Sequence, residues 1–178
     1  DKSITLRGGY STDFDDWDPD TYKTVLRPGL SGFGGRVVFA APGASPTLEW
    51  LYILEGDASY QGGEYYPSYG YFGTGGGVYA MGFFYRDDTI TIRNCTIADN
   101  TATGALFSSA FGGGLHLSYG SYAQVFDSII WNNSADSGDP NNTGDQIALF
   151  GGGADPNFAR LTGLEIVNSD IGPDVTVS

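Results

Sequence analysis

The chain has little of what disulfide bonding, metal chemistry or a positive surface would require. It carries one cysteine, one histidine, and eight lysine and arginine residues in total. A single cysteine excludes an intrachain disulfide, so packing and hydrogen bonds must hold the fold together. The net charge of −13 leaves no basic stripe for a nucleic-acid backbone. It also disfavours anionic membranes and polyanionic glycans unless a cation bridges them.

Long hydrophobic runs are missing as well, and no membrane-spanning segment is predicted. The sequence starts at Asp1 rather than at Met, and no signal peptide precedes the strand-like residues Ser3 to Leu6. We therefore expect residues 1–178 to form a single domain that is a processed or excised section of a larger protein.

Glutamate is scarce, although the chain is acidic. Of the 21 acidic residues only four are glutamate, at Glu49, Glu55, Glu64 and Glu165, and the other 17 are aspartate. Aspartate bonds its own backbone in turns, whereas glutamate favours helices. Together with 28 glycines, this bias predicts a turn-rich, all-β protein with almost no helix.

What the chain does have is a repeat in two parts. A glycine triplet begins at Gly75, Gly112 and Gly151, at spacings of 37 and 39 residues. A second phrase follows each triplet, and residues 48–54, which precede the first triplet, align with it. The phrase places isoleucine at equivalent positions, which we align as Ile53, Ile97, Ile130 and Ile171. Just before these isoleucines stand Asn94, Asp127 and Asn168, which suit turns and tolerate a left-handed backbone. Their side chains could also bond from one repeat to the next.

This pattern predicts one supersecondary unit stacked on copies of itself. The strands are short, and no two-residue hairpin turns separate them. We therefore predict a parallel β-helix, or solenoid, of about four to five coils with long loops, in which the isoleucines form an interior column and the triplets form corners. A Greek-key sandwich remains the main alternative.

The repeat resembles that of a known family. Gly-Gly-Gly-Val at residues 75–78 and Gly-Gly-Gly-Leu at 112–115 look like the GGA[ILV] half of the repeats in chlamydial-type polymorphic outer-membrane proteins. Residues 97–100 and 130–133 look like the FxxN half, with isoleucine in place of phenylalanine. The opening residues 4–10 are similar to secreted bacterial proteins with pectate-lyase-like regions. The resemblance implies a right-handed parallel β-helix, extracellular or on the bacterial cell surface, but no reaction.

The sequence offers only weak candidates for catalysis. Asp87, Asp88 and His116 superficially match the carboxylates and histidine of an inverting β-helix hydrolase. The basic residues that would clamp an acidic sugar are scattered, and no lyase or hydrolase motif is complete. The alternative interpretation is a turn-capping aspartate pair and a strand histidine that faces solvent. We therefore favour a non-enzymatic chain.

Two further groups are candidates for ligand binding. Residues 13–20 hold five aspartates, and Asp16, Asp18 and Asp20 alternate so that their carboxylates could converge on Ca²⁺. A solvated acidic turn is the competing interpretation, and no other cofactor is indicated. Tyr65, Tyr66, Tyr69 and Tyr71 could stack on sugars, or their rings could pack against the coil. Cys95 aligns with Ser128 and Ser169 and is predicted to be a buried structural thiol.

Two functions follow from these observations. The first is a non-enzymatic extracellular structural or adhesive module that assembles end to end, as in a filament, or docks on another cell-surface protein. The second is a module that binds or cleaves a polysaccharide with its tyrosines and clustered aspartates.

Overall fold

A computed structural model describes residues 3–29, 35–58, 64–66, 70–82, 88–104, 110–136, 144–150, 162–173 and 175–177. All regular structure in these residues is β, in twenty strands and no helix. The strands are β1 Thr5–Arg7, β2 Thr24–Leu26, β3 Val38–Ala40, β4 Thr47–Glu49, β5 Leu51–Leu54, β6 Glu64–Tyr66, β7 Gly70–Thr74, β8 Val78–Met81, β9 Thr89–Arg93, β10 Thr96–Ala98, β11 Thr101–Thr103, β12 Ala110–Phe111, β13 Leu115–Ser118, β14 Tyr122–Phe126, β15 Ile129–Trp131, β16 Ser134–Asp136, β17 Ile147–Phe150, β18 Gly163–Val167, β19 Asp170–Ile171 and β20 Val175–Val177.

Fifteen of these strands form three five-stranded sheets. Sheet A has the order β1-β4-β9-β14-β18, sheet B the order β2-β5-β10-β15-β19, and sheet C the order β3-β8-β13-β17-β20. Every neighbouring pair in the three sheets is parallel. The chain visits sheets A, B and C in that order five times. The predicted all-β class with stacked parallel strands is confirmed.

The isoleucine column lies in sheet B in the predicted register. Ile53 pairs with Ile97, Ile97 with Ile130, and Ile130 with Ile171. The first three side chains are 0% exposed and belong to one core cluster between the sheets. Burying an isoleucine in this way stabilises the fold by about 1.5–3 kcal/mol. Alternate residues of β9 and β14 supply the opposite wall, at Ile90, Ile92, Ala123 and Val125.

The turn between sheets A and B repeats with the same backbone conformation. Asn94, Asp127 and Asn168 have φ angles of 52°, 49° and 50°, which confirms the predicted left-handed turn. The residue after each turn bonds to the next repeat: the Cys95 amide donates to Ser128 Oγ, and the Ser128 amide donates to Ser169 Oγ, both at 3.1 Å. Ser128 Oγ in turn donates to the carbonyl of Phe126. This row of small side chains ties successive turns together.

Cys95 occupies a serine position in this row, and we expect Cys95→Ser to be tolerated. The thiol is 2% exposed, contacts the carbonyl of Arg93 at 3.3 Å, and burial raises its pKa to about 11. A serine hydroxyl can make the bond that Ser128 and Ser169 make to the equivalent carbonyls. The free energy of unfolding in urea should therefore change by less than about 1 kcal/mol. Cys95→Val, which has no donor, is the contrasting variant, and equal losses in both variants would contradict this account.

A ladder of buried amides crosses the stack at the next turn. Asn100 Oδ1 accepts from the Gly56 amide at 2.8 Å, and Asn133 Oδ1 accepts from Asn100 Nδ2 at 2.9 Å. Gln146 Oε1 then accepts from Asn133 Nδ2 at 2.9 Å. Asn100 and Asn133 also donate to the carbonyls of Ile53 and Ile97. The repeat-to-repeat side-chain bonding that we predicted at Asn94, Asp127 and Asn168 therefore lies mainly at this second turn.

Two of the three glycine triplets mark a corner, as predicted. Gly75 and Gly112 both have a φ of +59° and stand three residues before β8 and β13. The alignment of the third triplet with the first two is wrong. Ile147 pairs with Leu115, and this register places residues 144–146 opposite the second triplet. Gly144-Asp145-Gln146 is thus the structural equivalent, and its first residue again has a positive φ, of 122°. Residues 151–153 lie outside the described residues.

Long connections join β1 to β2, sheet B to sheet C, and β17 to β18. Residues 8–23 join β1 to β2 and contain the acidic loop, which we define as residues 13–20. The connections from sheet B to sheet C carry the small sheets β11-β16 and β12-β7-β6. The other connections from sheet A to sheet B are one or two residues long, at positions 50, 94–95, 127–128 and 168–169. The acidic loop is therefore the one structure that can cover this side of the stack among the described residues.

Candidate functional site

The structure places Asp88 and His116, the two weak catalytic candidates that it describes, in different parts of the fold, and each makes structural contacts there. Asp88 is 6% exposed, and its Oδ2 accepts a hydrogen bond from the Gly43 amide at 2.9 Å. That bond fits the turn-capping interpretation. His116 lies on the outer face of β13, the central strand of sheet C, two strands from the edge strand β20. Asp87 lies outside the described residues.

His116 is buried, so the expectation that it faces solvent is wrong. The side chain is 3% exposed and lies between the rings of Tyr79 and Phe111, with ring centroids 5.1 and 5.8 Å away. Its Nδ1 has no hydrogen-bond partner among the residues that the structure describes. Burial, with a smaller contribution from the Arg36 charge, lowers the pKa of His116 to about 3. The outer face of sheet C is covered at this point, and the imidazole is neutral at neutral pH.

The stability of the fold should consequently fall as the pH drops below 6.5. The unfolded histidine takes up a proton near pH 6.5, whereas the buried one resists protonation down to a pKa of about 3. The unfolded state therefore binds more protons in this window, and each pH unit costs about 1.4 kcal/mol. Between pH 7 and pH 5 the free energy of unfolding should fall by about 2 kcal/mol more than in His116→Phe. Parallel pH curves for the two proteins would contradict the prediction.

The acidic loop does not gather its three candidate calcium ligands. Asp18 Oδ1 accepts from the amides of Asp20 and Thr21, and its Oδ2 accepts from the Thr21 hydroxyl. These bonds lower the pKa of Asp18. Asp16 Oδ2 instead lies 3.3 Å from the Tyr22 hydroxyl. Among the residues described, no three acidic, histidine or cysteine side chains form a metal-binding group. The predicted convergence of Asp16, Asp18 and Asp20 is wrong, and the loop is an exposed turn stabilised by its own hydrogen bonds.

The tyrosine candidates lie in a hairpin outside the three main sheets. Strands β6 and β7 pair antiparallel, with Tyr65 opposite Tyr71 and Tyr66 opposite Gly70. The structure describes the backbone of these residues, and Tyr69 lies outside the described residues. Binding of sugars by this hairpin stays a prediction.

A cleft of about 150 Å³ lies where the acidic loop meets the turns between sheets A and B. The sequence alone does not reveal it, because its walls come from four segments that are far apart in the chain. They are loop residues Pro19 and Asp20, turn residues Trp50, Asn94, Cys95 and Asp127, and strand residues Tyr52, Thr96 and Ile129. Two carboxylates and no lysine or arginine are among them.

Tryptophan contacts hold the acidic loop over the turns. The indole of Trp17 meets that of Trp50 edge to face, with ring centroids 5.9 Å apart and an interplanar angle of 82°. Trp17 Nε1 also donates to the carbonyl of Gly8 at 3.1 Å, and the Asp18 amide donates to the carbonyl of Gly9 at 2.9 Å. The loop is therefore anchored at its centre, and Asp20 is held at the edge of the cleft.

Beside the cleft, the outer face of sheet B is partly apolar. Register places Val25, Tyr52, Thr96 and Ile129 in one row across four strands. Val25 is 44% exposed and Ile129 is 45% exposed, and Trp131 in the next row is 48% exposed. The ammonium of Lys23 lies 5.3 Å from the centre of the Tyr52 ring. Three exposed apolar side chains, Val25, Ile129 and Trp131, thus lie on this face of sheet B.

In the residues that the structure describes, the protein is all-β, with three stacked parallel sheets and a cleft beneath the acidic loop. No protein-family model, curated protein or solved structure matches it. Within the described ranges, no helix has the length and apolar character needed to cross a membrane.

Proposed function

We propose that the chain is a right-handed parallel β-helix that serves as a non-enzymatic structural or adhesive module outside the cell. Two neighbouring parallel strands must be joined by a crossover connection. Here each crossover runs through the other two sheets, because the chain visits sheets A, B and C in turn. Crossovers between parallel strands of one sheet are right-handed in about 98% of cases, which supports the handedness. The five visits correspond to five coils.

The fate of the buried polar side chains supports a structural role. Asn100, Asn133, Gln146 and Ser128 are each at most 4% exposed, and all of them bond from one coil to the next. Polar groups buried in this way cost free energy unless they are paired, so their pairing maintains the stack rather than a reaction. These four polar side chains could otherwise have taken part in catalysis inside the coil, but they hold neighbouring coils together instead.

The exposed face of sheet B is the observation that carries the adhesive part of the proposal. Val25, Ile129 and Trp131 are between 44% and 48% exposed and share one flat face of parallel strands. Contiguous exposed apolar surface on a protein marks a site of interaction with another surface. The face is rigid, because the same strands carry the buried isoleucine column on their other side.

The ends of the sheets offer a second mode of interaction. In the described residues β1, β2 and β3 lie at one end of sheets A, B and C, and β18, β19 and β20 lie at the other. Unpaired strand edges pair with further strands. We propose that they pair with more coils of a longer chain, with a second copy or with another cell-surface protein. Sedimentation velocity over a range of concentrations distinguishes self-association from a monomer.

Adhesion can be tested with protein-coated beads on polysaccharide films and on films of the protein itself. Wild-type beads should be retained, and Ile129→Thr with Trp131→Thr should lower retention at least tenfold, because threonine keeps strand propensity and removes the apolar surface. Phe14→Asn is the matched control, since Phe14 is 76% exposed but lies on the acidic loop at a φ of 64°. Release of reducing ends from the polysaccharides, or no retention on any film, would overturn the proposal.

A further inference from the structure

We propose that the cleft beneath the acidic loop binds one pyranose unit of a glycan that carries no acid group. This inference rests on the proposed adhesive function and names the class of ligand that the module would hold. It is carried by the size of the cleft, the chemistry of its walls, its charge and the backbone of Trp50.

The size and walls of the cleft suit a single sugar ring. A cavity of about 150 Å³ accepts one six-membered ring. Tyr52, Trp50 and Ile129 offer apolar surface, and Asp20, Asp127 and Asn94 bring polar groups to the same space. Small-molecule sites combine a largely apolar lining with a few placed polar groups. A pyranose needs this combination, because its faces are apolar and its edge carries hydroxyls.

The carboxylates of the cleft are available to accept hydrogen bonds from the hydroxyls of a sugar. Within the part of the chain that the structure describes, the carboxylates of Asp20 and Asp127 accept no hydrogen bond. At the turn that follows sheet B, by contrast, Asp99 Oδ1 accepts a hydrogen bond from Asn132 Nδ2. An ionised carboxylate accepts up to about four hydrogen bonds, so two of them can serve several hydroxyls.

Charge narrows the class of sugar. The lining residues include two carboxylates and no lysine or arginine, and the whole chain has a net charge of −13. An acidic sugar would meet repulsion from these carboxylates, whereas a neutral sugar meets none and an amino sugar is attracted. The Lys23 ammonium lies 5.3 Å from the centre of the Tyr52 ring, but the two carboxylates of the lining outnumber this single positive charge.

The backbone of Trp50 gives an independent indication. Trp50 has a φ of 57° at the turn position where the other repeats have Asn94, Asp127 and Asn168. Asparagine and aspartate tolerate this conformation, but a bulky residue there is an outlier that costs about 1–2 kcal/mol. Strain of this kind is typical of functional sites. Tyr119 and Phe14 also combine a bulky side chain with a positive φ, but among the described short turns between sheets A and B Trp50 is the one bulky residue, and its indole lies in the wall of the cleft.

Isothermal titration calorimetry with three soluble probes tests the proposal: cellotriose, chitosan trisaccharide and trigalacturonate. Cellotriose and chitosan trisaccharide should bind, the latter more weakly as salt is added, and trigalacturonate should bind at least tenfold more weakly than cellotriose. Asp127→Asn should weaken binding at least tenfold, although asparagine fits the turn, as Asn94 and Asn168 show. Trp50→Asn should also weaken binding at least tenfold, although it relieves the backbone strain at position 50. Asn168→Asp, at the equivalent turn outside the cleft, should bind like the wild type.

The outcomes separate this inference from the proposed function. If coated beads adhere through sheet B but Asp127→Asn and Trp50→Asn bind the probes like the wild type, the cleft is not the sugar site and the adhesive function stands. If no probe binds although adhesion persists, the sugar class is wrong. Equal affinity for trigalacturonate and cellotriose would overturn the charge argument. Loss of adhesion on every film would remove the proposed function and this inference together.

Discussion

Gly113→Ala should lower the free energy of unfolding by about 4 kcal/mol or more, or prevent folding. A Cβ at this position would lie 2.2 Å from the backbone oxygen of Ser134, and 2.6 Å from the carbonyl carbon and the amide nitrogen of the same residue. Ser134 begins β16, whose backbone is paired with β11, so it cannot move aside as a flexible side chain could. Overpacking that must be relieved by backbone movement costs more than the about 1–3 kcal/mol typical of side-chain crowding. Urea unfolding and soluble yield measure the effect.

Gly29→Ala is the matched control for this prediction. Within the described part of the chain, no atom would lie within 4 Å of a Cβ at Gly29, and no positive φ constrains the residue. Its stability should stay within about 0.5 kcal/mol of the wild type, or rise slightly because alanine restricts the unfolded chain. If Gly113→Ala and Gly29→Ala unfold at the same urea concentration, the close approach of backbones at the second triplet is not a constraint.

Asn133→Ala should be the other severely destabilising change, at about 4 kcal/mol. The 4% exposed Asn133 side chain accepts from the Asn100 amide and from Asn100 Nδ2, and donates to Gln146 and to the carbonyl of Ile97. Alanine leaves these groups buried without a partner, and each unsatisfied group costs about 1–3 kcal/mol. Urea unfolding again gives the measurement, and hydrogen exchange at the Asn100 amide should accelerate most.

Ser134→Ala, at the next residue, separates loss of the ladder from disturbance of the turn. Ser134 is exposed, and its hydroxyl makes one long contact of 3.5 Å to Thr101. We expect a loss below about 0.5 kcal/mol. A comparable loss in both variants would mean that the turn, rather than the amide ladder, is the sensitive element.

Features that depend on local chemistry could be predicted from the sequence. The isoleucine column emerged because a buried position in a stack needs the same kind of side chain in every repeat, and Ile53, Ile97 and Ile130 meet that need. The left-handed turns at Asn94 and Asp127 followed from the tolerance of these residues for positive φ. The all-β class and the parallel stacking of the strands could both be predicted from these repeated features.

Features that depend on what lies across from a residue could not be predicted in the same way. The triplet at residues 151–153 matched the first two in letters, but strand register gives their place to residues 144–146. His116 alternates with core residues like a surface residue, yet Phe111, in the connection that precedes β13, covers it. The cleft joins the acidic loop to three turns, and the signal that could have found it is tryptophan at position 50, where the repeat otherwise has asparagine or aspartate.

The in-register stacking of the sheets has a consequence for how the protein folds. Each strand of sheet A pairs with a strand about one repeat away, as Thr47 does with Thr91 and Thr89 does with Tyr122, separations of 44 and 33 residues. The distance along the chain that a contact must close therefore does not grow as repeats are added. Folding can nucleate in any adjacent pair of repeats and propagate outwards in both directions. The same property lets an outer repeat open while the inner ones persist, so the backbone amides of β9 and β10, which lie in the middle of sheets A and B, should be the last to exchange with solvent.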